Sequence, residues 1–266
     1  MKTSYKLPFK IFGIPVKLHV SFLLFFPVLA WIIGNNLQFY VNALQLDVNT
    51  AALTTQMGPI LIGLIAAAGL FICVTLHELG HSFVARKYGI KIKGITLHVL
   101  GGVAQLEDVS TGPGSEAKMA ITGPLVSFGL EGLAWVALML IGPQATLPKF
   151  IAGYMVYMNF AVGVFNLLPA IPLDGGRVLR SLLSLKQSRV KATRISTQIS
   201  KAISVAMGIY GLFNFQLFLI AIAIFIFFAA NSEAKQLFLH KTLQNLKIEE
   251  LMTKDVKTVK PDTEVD

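Results

Sequence analysis

Long apolar runs, separated by short segments that are polar or broken by glycine and proline, dominate the chain. Six of them, near residues 18–37, 58–85, 117–141, 149–168, 195–213 and 216–234, reach the length of about 20 residues that crosses the hydrocarbon of a bilayer as a helix. The intervals differ in character. Residues 8–20 carry Lys10, Gly13, Pro8 and Pro15 among apolar positions, which predicts a short amphipathic hairpin rather than a helix. Residues 38–57 are polar and free of Lys and Arg, and read as a loop. Residues 90–109 are apolar, show period-two character and are interrupted by Gly101-Gly102, so they predict a strand pair or a re-entrant loop. The pattern as a whole predicts an all-α polytopic membrane protein. It would have about six transmembrane helices and short membrane-associated β-hairpin elements.

Composition agrees. Of 266 residues, 54% are hydrophobic and 14% charged, where a soluble domain carries about 25% charged residues. The net charge of +9 raises the question of nucleic acid, but the placement of the cations answers it. Four Lys lie within residues 1–17, five Lys and Arg between 86 and 118, seven between 177 and 201 and six from 235 onward. If the six runs span, these 22 fall on one side and Lys149 alone on the other. The positive-inside rule then places both termini in the cytosol of a multi-pass cell-membrane protein. The basic balance reflects topology, and no nucleic-acid partner is expected. The first apolar run lacks a small-residue cleavage site and reads as a retained helix. A single cysteine, Cys73, excludes an intramolecular disulfide.

The chemistry is concentrated in His77-Glu78-Leu79-Gly80-His81, at the end of the second apolar run. On a helix, residues four apart leave the same face, so two imidazoles can bind one zinc ion while Glu78 takes a proton from water. Ionisable groups in lipid are costly, which makes this placement functional by default. Two core histidines on a buried helix are the bland alternative. Arg86 lies nine residues on, about 13 Å of helical rise, so the site sits below the cytosolic surface. A second candidate comes from the end of the fourth run, Asn166-Leu167-Leu168-Pro169-Ala170-Ile171-Pro172-Leu173-Asp174-Gly175-Gly176-Arg177. Its prolines and glycines stop the helix on the side where the second run exits. Asp174 can therefore complete a two-His, one-carboxylate set with an open position; the rival role is capping the helix that follows. His98 is a rival ligand that more readily packs locally, and Cys73, one turn before His77, reads as a core thiol or spare ligand. His19 reads as an interfacial residue. Glu131, an acid within the third run, reads as a neutral hydrogen-bonded carboxyl.

With these residues in place the chain resembles the site-2 protease family of intramembrane zinc metalloproteases. The resemblance rests on the His77–His81 motif, Gly101-Gly102-Val103-Ala104, Gly123-Pro124-Leu125-Val126-Ser127 and the stretch from Asn166 to Arg180, and covers roughly residues 8–235. It implies one Zn2+ held by His77, His81 and Asp174, with Glu78 as general base. It implies that Asn166 holds substrate or stabilises the oxyanion, and that the Gly101-Gly102 segment pairs with an unwound substrate helix. The activity implied is regulated cleavage of transmembrane protein substrates within the lipid bilayer. Residues 248–263 resemble the opening of a CBS domain. Residues 1–240 then form the protease core, and 241–266 a cytosolic linker with the start of a truncated module whose ligand would be an adenine nucleotide. The alternatives are a zinc-binding membrane transporter, which gives Glu78 no role, and a catalytically inactive membrane scaffold, which leaves the chemistry superfluous.

Overall fold

The computed structural model describes residues 4–98, 101–106, 112–142 and 144–244. In chain order the elements are β1 (Ser4–Ile11), β2 (Ile14–His19), α1 (Val20–Asn35), α2 (Leu37–Ala43), α3 (Thr50–Met57), α4 (Pro59–Lys87), β3 (Ile92–His98), β4 (Gly101–Leu106), α5 (Pro113–Leu140), α6 (Thr146–Asn166), α7 (Asp174–Leu183), α8 (Arg189–Phe213) and α9 (Leu217–Gln244). All six apolar runs are helices. Three of them, α4, α5 and α9, are each long and apolar enough to cross a membrane. A fourth span results if α1 and α2, bent by 63°, are counted together. Neither α6 nor α8 meets that test: α8 spends part of its length on Arg189, Lys191, Arg194 and Lys201 and on a buried row of Ser and Thr. Outward-facing residues are apolar to a degree that water would not favour; Leu140 is 81% exposed, Phe215 90% and Leu217 80%.

Helix α4 is the central element, packed against α1, α5 and α6. Pro59 opens it, where its missing N–H costs nothing, and Arg86 and Lys87 close it, complementing the helix dipole. The interval 38–57 is not an open loop, as its polarity predicts, but holds α2 and α3. Asn49 caps α3 by accepting from the Ala52 N–H, and Leu37, Val41 and Leu53 bury themselves with Phe150 and Tyr154 of α6.

The two expected hairpins form and then join. Strands β1 and β2 are antiparallel, as are β3 and β4, and β2 runs parallel to β3, giving the order β1-β2-β3-β4. Val16, Ile95 and Leu97 turn inward onto Phe22 of α1 and Phe71 and Leu79 of α4. The sheet therefore lies over the end of α4 that carries the His-Glu-x-x-His motif, with β4 as an edge strand.

At the far side of that motif three helices meet on one charge. Arg180 of α7 is buried and donates from Nε and Nη2 to Glu116 of α5 and from Nη1 to Glu233 of α9. Burial alone would loosen its proton, but the two carboxylates outweigh it, so the guanidinium pKa is raised.

Candidate metal centre

Helix geometry brings His77 and His81 to one face of α4, with ring centroids 4.9 Å apart. Asp174 reaches them from a distant part of the chain. Its Oδ2 lies 3.1 Å from His77 Nε2 and 3.1 Å from His81 Nε2. The connection from Asn166 to Asp174 makes this approach: Gly175 and Gly176 sit so close to the backbone of Leu167–Ile171 that neither has room for a side chain. Asp174 belongs to the first turn of α7, where Leu173 is the N-cap. It is thus not the capping residue of that helix, and its carboxylate faces the histidines.

The far nitrogens of both rings are fixed by α5. The Met119 carbonyl can only accept, so His81 Nδ1 carries the proton and donates at 2.8 Å. His77 Nδ1 lies 2.8 Å from the Ser127 hydroxyl, which can accept in the same way. With Nδ1 protonated on each ring, both Nε2 lone pairs would converge on a carboxylate oxygen that is itself an acceptor. Three acceptors without a proton among them repel one another unless a cation lies between them. A tetrahedral zinc ion with bonds of about 2.0–2.1 Å holds neighbouring ligand atoms roughly 3.3 Å apart, close to the separations seen. Space has been left for it as well, because a Cβ on Gly123 of α5 would overlap Nε2 of both histidines. The residues fit a zinc ion.

Glu78 is the half-buried member of the group, while His77 is 3%, His81 6% and Asp174 7% exposed. His77, Glu78 and His81 each offer a ligand atom within 4.8 Å of the others, so Glu78 stands beside the three converging donors. A Cβ on Gly102 of β4 would overlap its side chain, which places Glu78 between the cluster and the edge strand.

The structure does not bring the other candidates to this point. Asn166 donates from Nδ2 to the Val162 carbonyl of its own helix, 3.0 Å away. His98 stacks on His19, centroids 4.5 Å apart, and burial together with His19 lowers its pKa. His19 caps α1 by accepting from the Ser21 N–H. Cys73 meets Met155 of α6. Glu131, expected to be hydrogen-bonded, has no such partner among the described residues. The orienting groups Ser127, Met119 and Gly123 went unassigned on sequence. Ser127 and Gly123 stand in the Gly123-Pro124-Leu125-Val126-Ser127 motif that carries the resemblance, without a role of their own, and a backbone carbonyl such as Met119 leaves no signature at all. Ser127→Ala is expected to weaken zinc binding by about 10–100-fold, the usual effect of losing an orienting partner. A chelator competition titration checks this, and unchanged affinity would remove Ser127 from that role.

A carboxylate able to take a proton, set beside a three-donor cation site in a helix with lipid-type surroundings, is the equipment of a membrane metallopeptidase. The chain belongs to peptidase family M50, the site-2 proteases, whose profile matches residues 65–153 and 144–209. It is 34% identical over 264 residues to a zinc metalloprotease of Methanocaldococcus jannaschii, a match covering 97% of this chain and 69% of that one. It is 32% identical over 163 residues to stage IV sporulation protein FB of Bacillus subtilis, covering 61% and 55%. Among solved structures it is similar to the site-2 protease from Methanocaldococcus jannaschii, with TM-score 0.59 and 31% identity, covering 96% of this chain and 99% of that one. Two further curated relatives are matched over 52% of their own length. The family makes this chain an integral membrane zinc metalloprotease.

Proposed function

We propose that the chain hydrolyses peptide bonds within the transmembrane segments of other membrane proteins, in regulated intramembrane proteolysis. The observation that carries the proposal is the convergence of His77 Nε2, His81 Nε2 and Asp174 Oδ2, at 3.1 Å from carboxylate to each ring, with Glu78 beside them. His77, His81 and Asp174 would hold one zinc ion. Bound there, zinc would supply the Lewis acidity that polarises a scissile carbonyl and acidifies water. Glu78 takes the proton of the attacking water on its carboxylate and returns it to the leaving amine nitrogen.

A helical substrate has its peptide groups hydrogen-bonded internally, so it must unwind before attack. Among the described residues the outer edge of β4 has no neighbouring strand, and an extended peptide added there would run past Gly102 and hence past Glu78. Asn166 is assigned to the oxyanion on family resemblance alone. Its Nδ2 carries a second N–H beside the one given to the Val162 carbonyl, and that hydrogen is the donor such a role would use. The six helices α1, α4, α5, α6, α8 and α9 are taken as spans with both termini cytosolic, supported by the one-sided distribution of Lys and Arg. Residues 1–240 are the protease core. The resemblance of residues 248–263 to a CBS opening lies outside the described residues; with it goes the proposal of an adenine nucleotide as ligand of such a module.

The test is cleavage of a single-span substrate by purified protein in detergent, with metal content measured in parallel. About one zinc per chain is expected, from the one cluster among the described residues, and hydrolysis should be lost on chelation and restored by zinc. Zinc uptake with solute flux in proteoliposomes and no peptide cleavage would favour the transporter instead.

A further inference from the structure

We propose that Arg180 is a positioning residue for the metal centre, acting by locking the helix that begins with Asp174 to the turn of α5 that orients His81. The inference rests on the reading of His77, His81 and Asp174 as metal donors.

Arg180 lies six residues after Asp174 on the ten-residue helix α7. Its Nε donates to Glu116 Oε1 at 3.1 Å, and Nη2 donates to the same oxygen. Ser181, the next residue, accepts from the Ala117 N–H at 3.0 Å. Helix α7 is therefore fastened at two adjacent points to the first turns of α5. Glu116 stands three residues before Met119, whose carbonyl holds His81 Nδ1. The same helix carries Gly123, against both Nε2 atoms, and Ser127, on His77 Nδ1. One side of the clamp thus fixes the rings and the other fixes the carboxylate.

The chemistry of the clamp argues for register as its purpose. A buried ion pair contributes little net stability over apolar residues of similar volume, and fixing register is the best-attested use of one. Both Arg180 and Glu116 are buried, at 7% and 6% exposure. Two donors on one carboxylate and a third on Glu233 need the planar guanidinium fork; a lysine supplies the charge from one nitrogen without that geometry. What sits on this junction is the relative placement of a ligand and of the acceptor that orients another, where small displacements are felt.

The test uses the full chain in detergent and reads the metal site directly, by zinc affinity and by the visible absorption spectrum after cobalt(II) substitution. Arg180→Lys keeps the charge and loses the fork. It is expected to bind zinc about tenfold more weakly and to give an altered cobalt spectrum, while circular dichroism keeps its helical signal. Ser181→Ala should shift affinity in the same direction by about threefold, roughly the share of one neutral hydrogen bond. The double variant Arg180→Met/Glu116→Met removes both buried charges, leaving only Glu233, whose side chain is 39% exposed, and carries the test if Arg180→Lys unfolds; it should behave like Arg180→Lys. Zinc affinity and cobalt spectrum equal to the unmutated protein in the folded variants would overturn the inference, whatever their melting temperatures. Absence of zinc binding by the unmutated protein would instead take down the metal reading on which it rests.

Discussion

Glu78→Gln is expected to bind zinc as the unmutated protein does and to lose cleavage of its substrate. Glutamine keeps the size and polarity of the side chain but cannot take the proton from water, and the loss of a general base costs turnover by about 10²–10⁴-fold. The substitution also separates two readings of the site. Glu78 lies with His77 and His81 in a group whose ligand atoms are within 4.8 Å of one another, so by distance alone it is eligible as a ligand. Asp174 Oδ2 lies 3.1 Å from each Nε2. If Asp174 is the third donor, zinc content survives in Glu78→Gln and turnover does not. Zinc lost together with turnover would place Glu78 in the ligand set and leave the base unassigned.

Gly123→Ala removes metal binding from a protein that still folds. Alanine is the better helix former by about 1 kcal/mol, so α5 itself gains. The added methyl, however, would occupy the space next to Nε2 of both histidines. Ring ends can swing away more readily than backbone can shift, and in doing so they leave the point they share with Asp174. Zinc affinity is expected to fall by on the order of a hundredfold or more, since displacing the ligands exceeds the loss of an orienting partner. A zinc titration beside a thermal melt decides it. Zinc binding equal to that of the unmutated protein would show that the ion does not sit between the rings and Gly123. The contrast with Glu78→Gln is informative: one variant keeps the metal and loses the chemistry, the other loses the metal through a residue with no chemistry of its own.

The helical framework was largely legible because lipid selects for long apolar runs, and each run placed from hydropathy corresponds to a helix. What was missed lay where that signal is weak. Helices α2 and α3 are only 7 and 8 residues long, and they form because Leu37, Val41 and Leu53 find Phe150 and Tyr154, a contact that no local pattern encodes. The two hairpins were visible as interrupted segments. Their union was not, because β2 pairs in parallel with β3 across the whole of α4, matching Val16 to Ile95 and Leu18 to Leu97. At the site, a spacing of four residues placed His77 and His81, and a halted helix pointed to Asp174. Arg177 and Arg180 stand among the cations of the basic side and in the stretch that carries the family resemblance, without a role of their own. Nothing local distinguishes Arg180, since its partners Glu116 and Glu233 lie 64 and 53 residues away.

His77 and Asp174 are 97 residues apart in the chain, and that separation has a meaning in time. At about 5–20 residues per second of synthesis, α4 is made several seconds before the ribosome reaches Asp174. On the proposed ligand set, the newborn protein carries two of three metal donors throughout that interval and lacks the helix that brings the third. Competence to cut is thus a late event in biogenesis, reached only once α5, α6 and the start of α7 have been made.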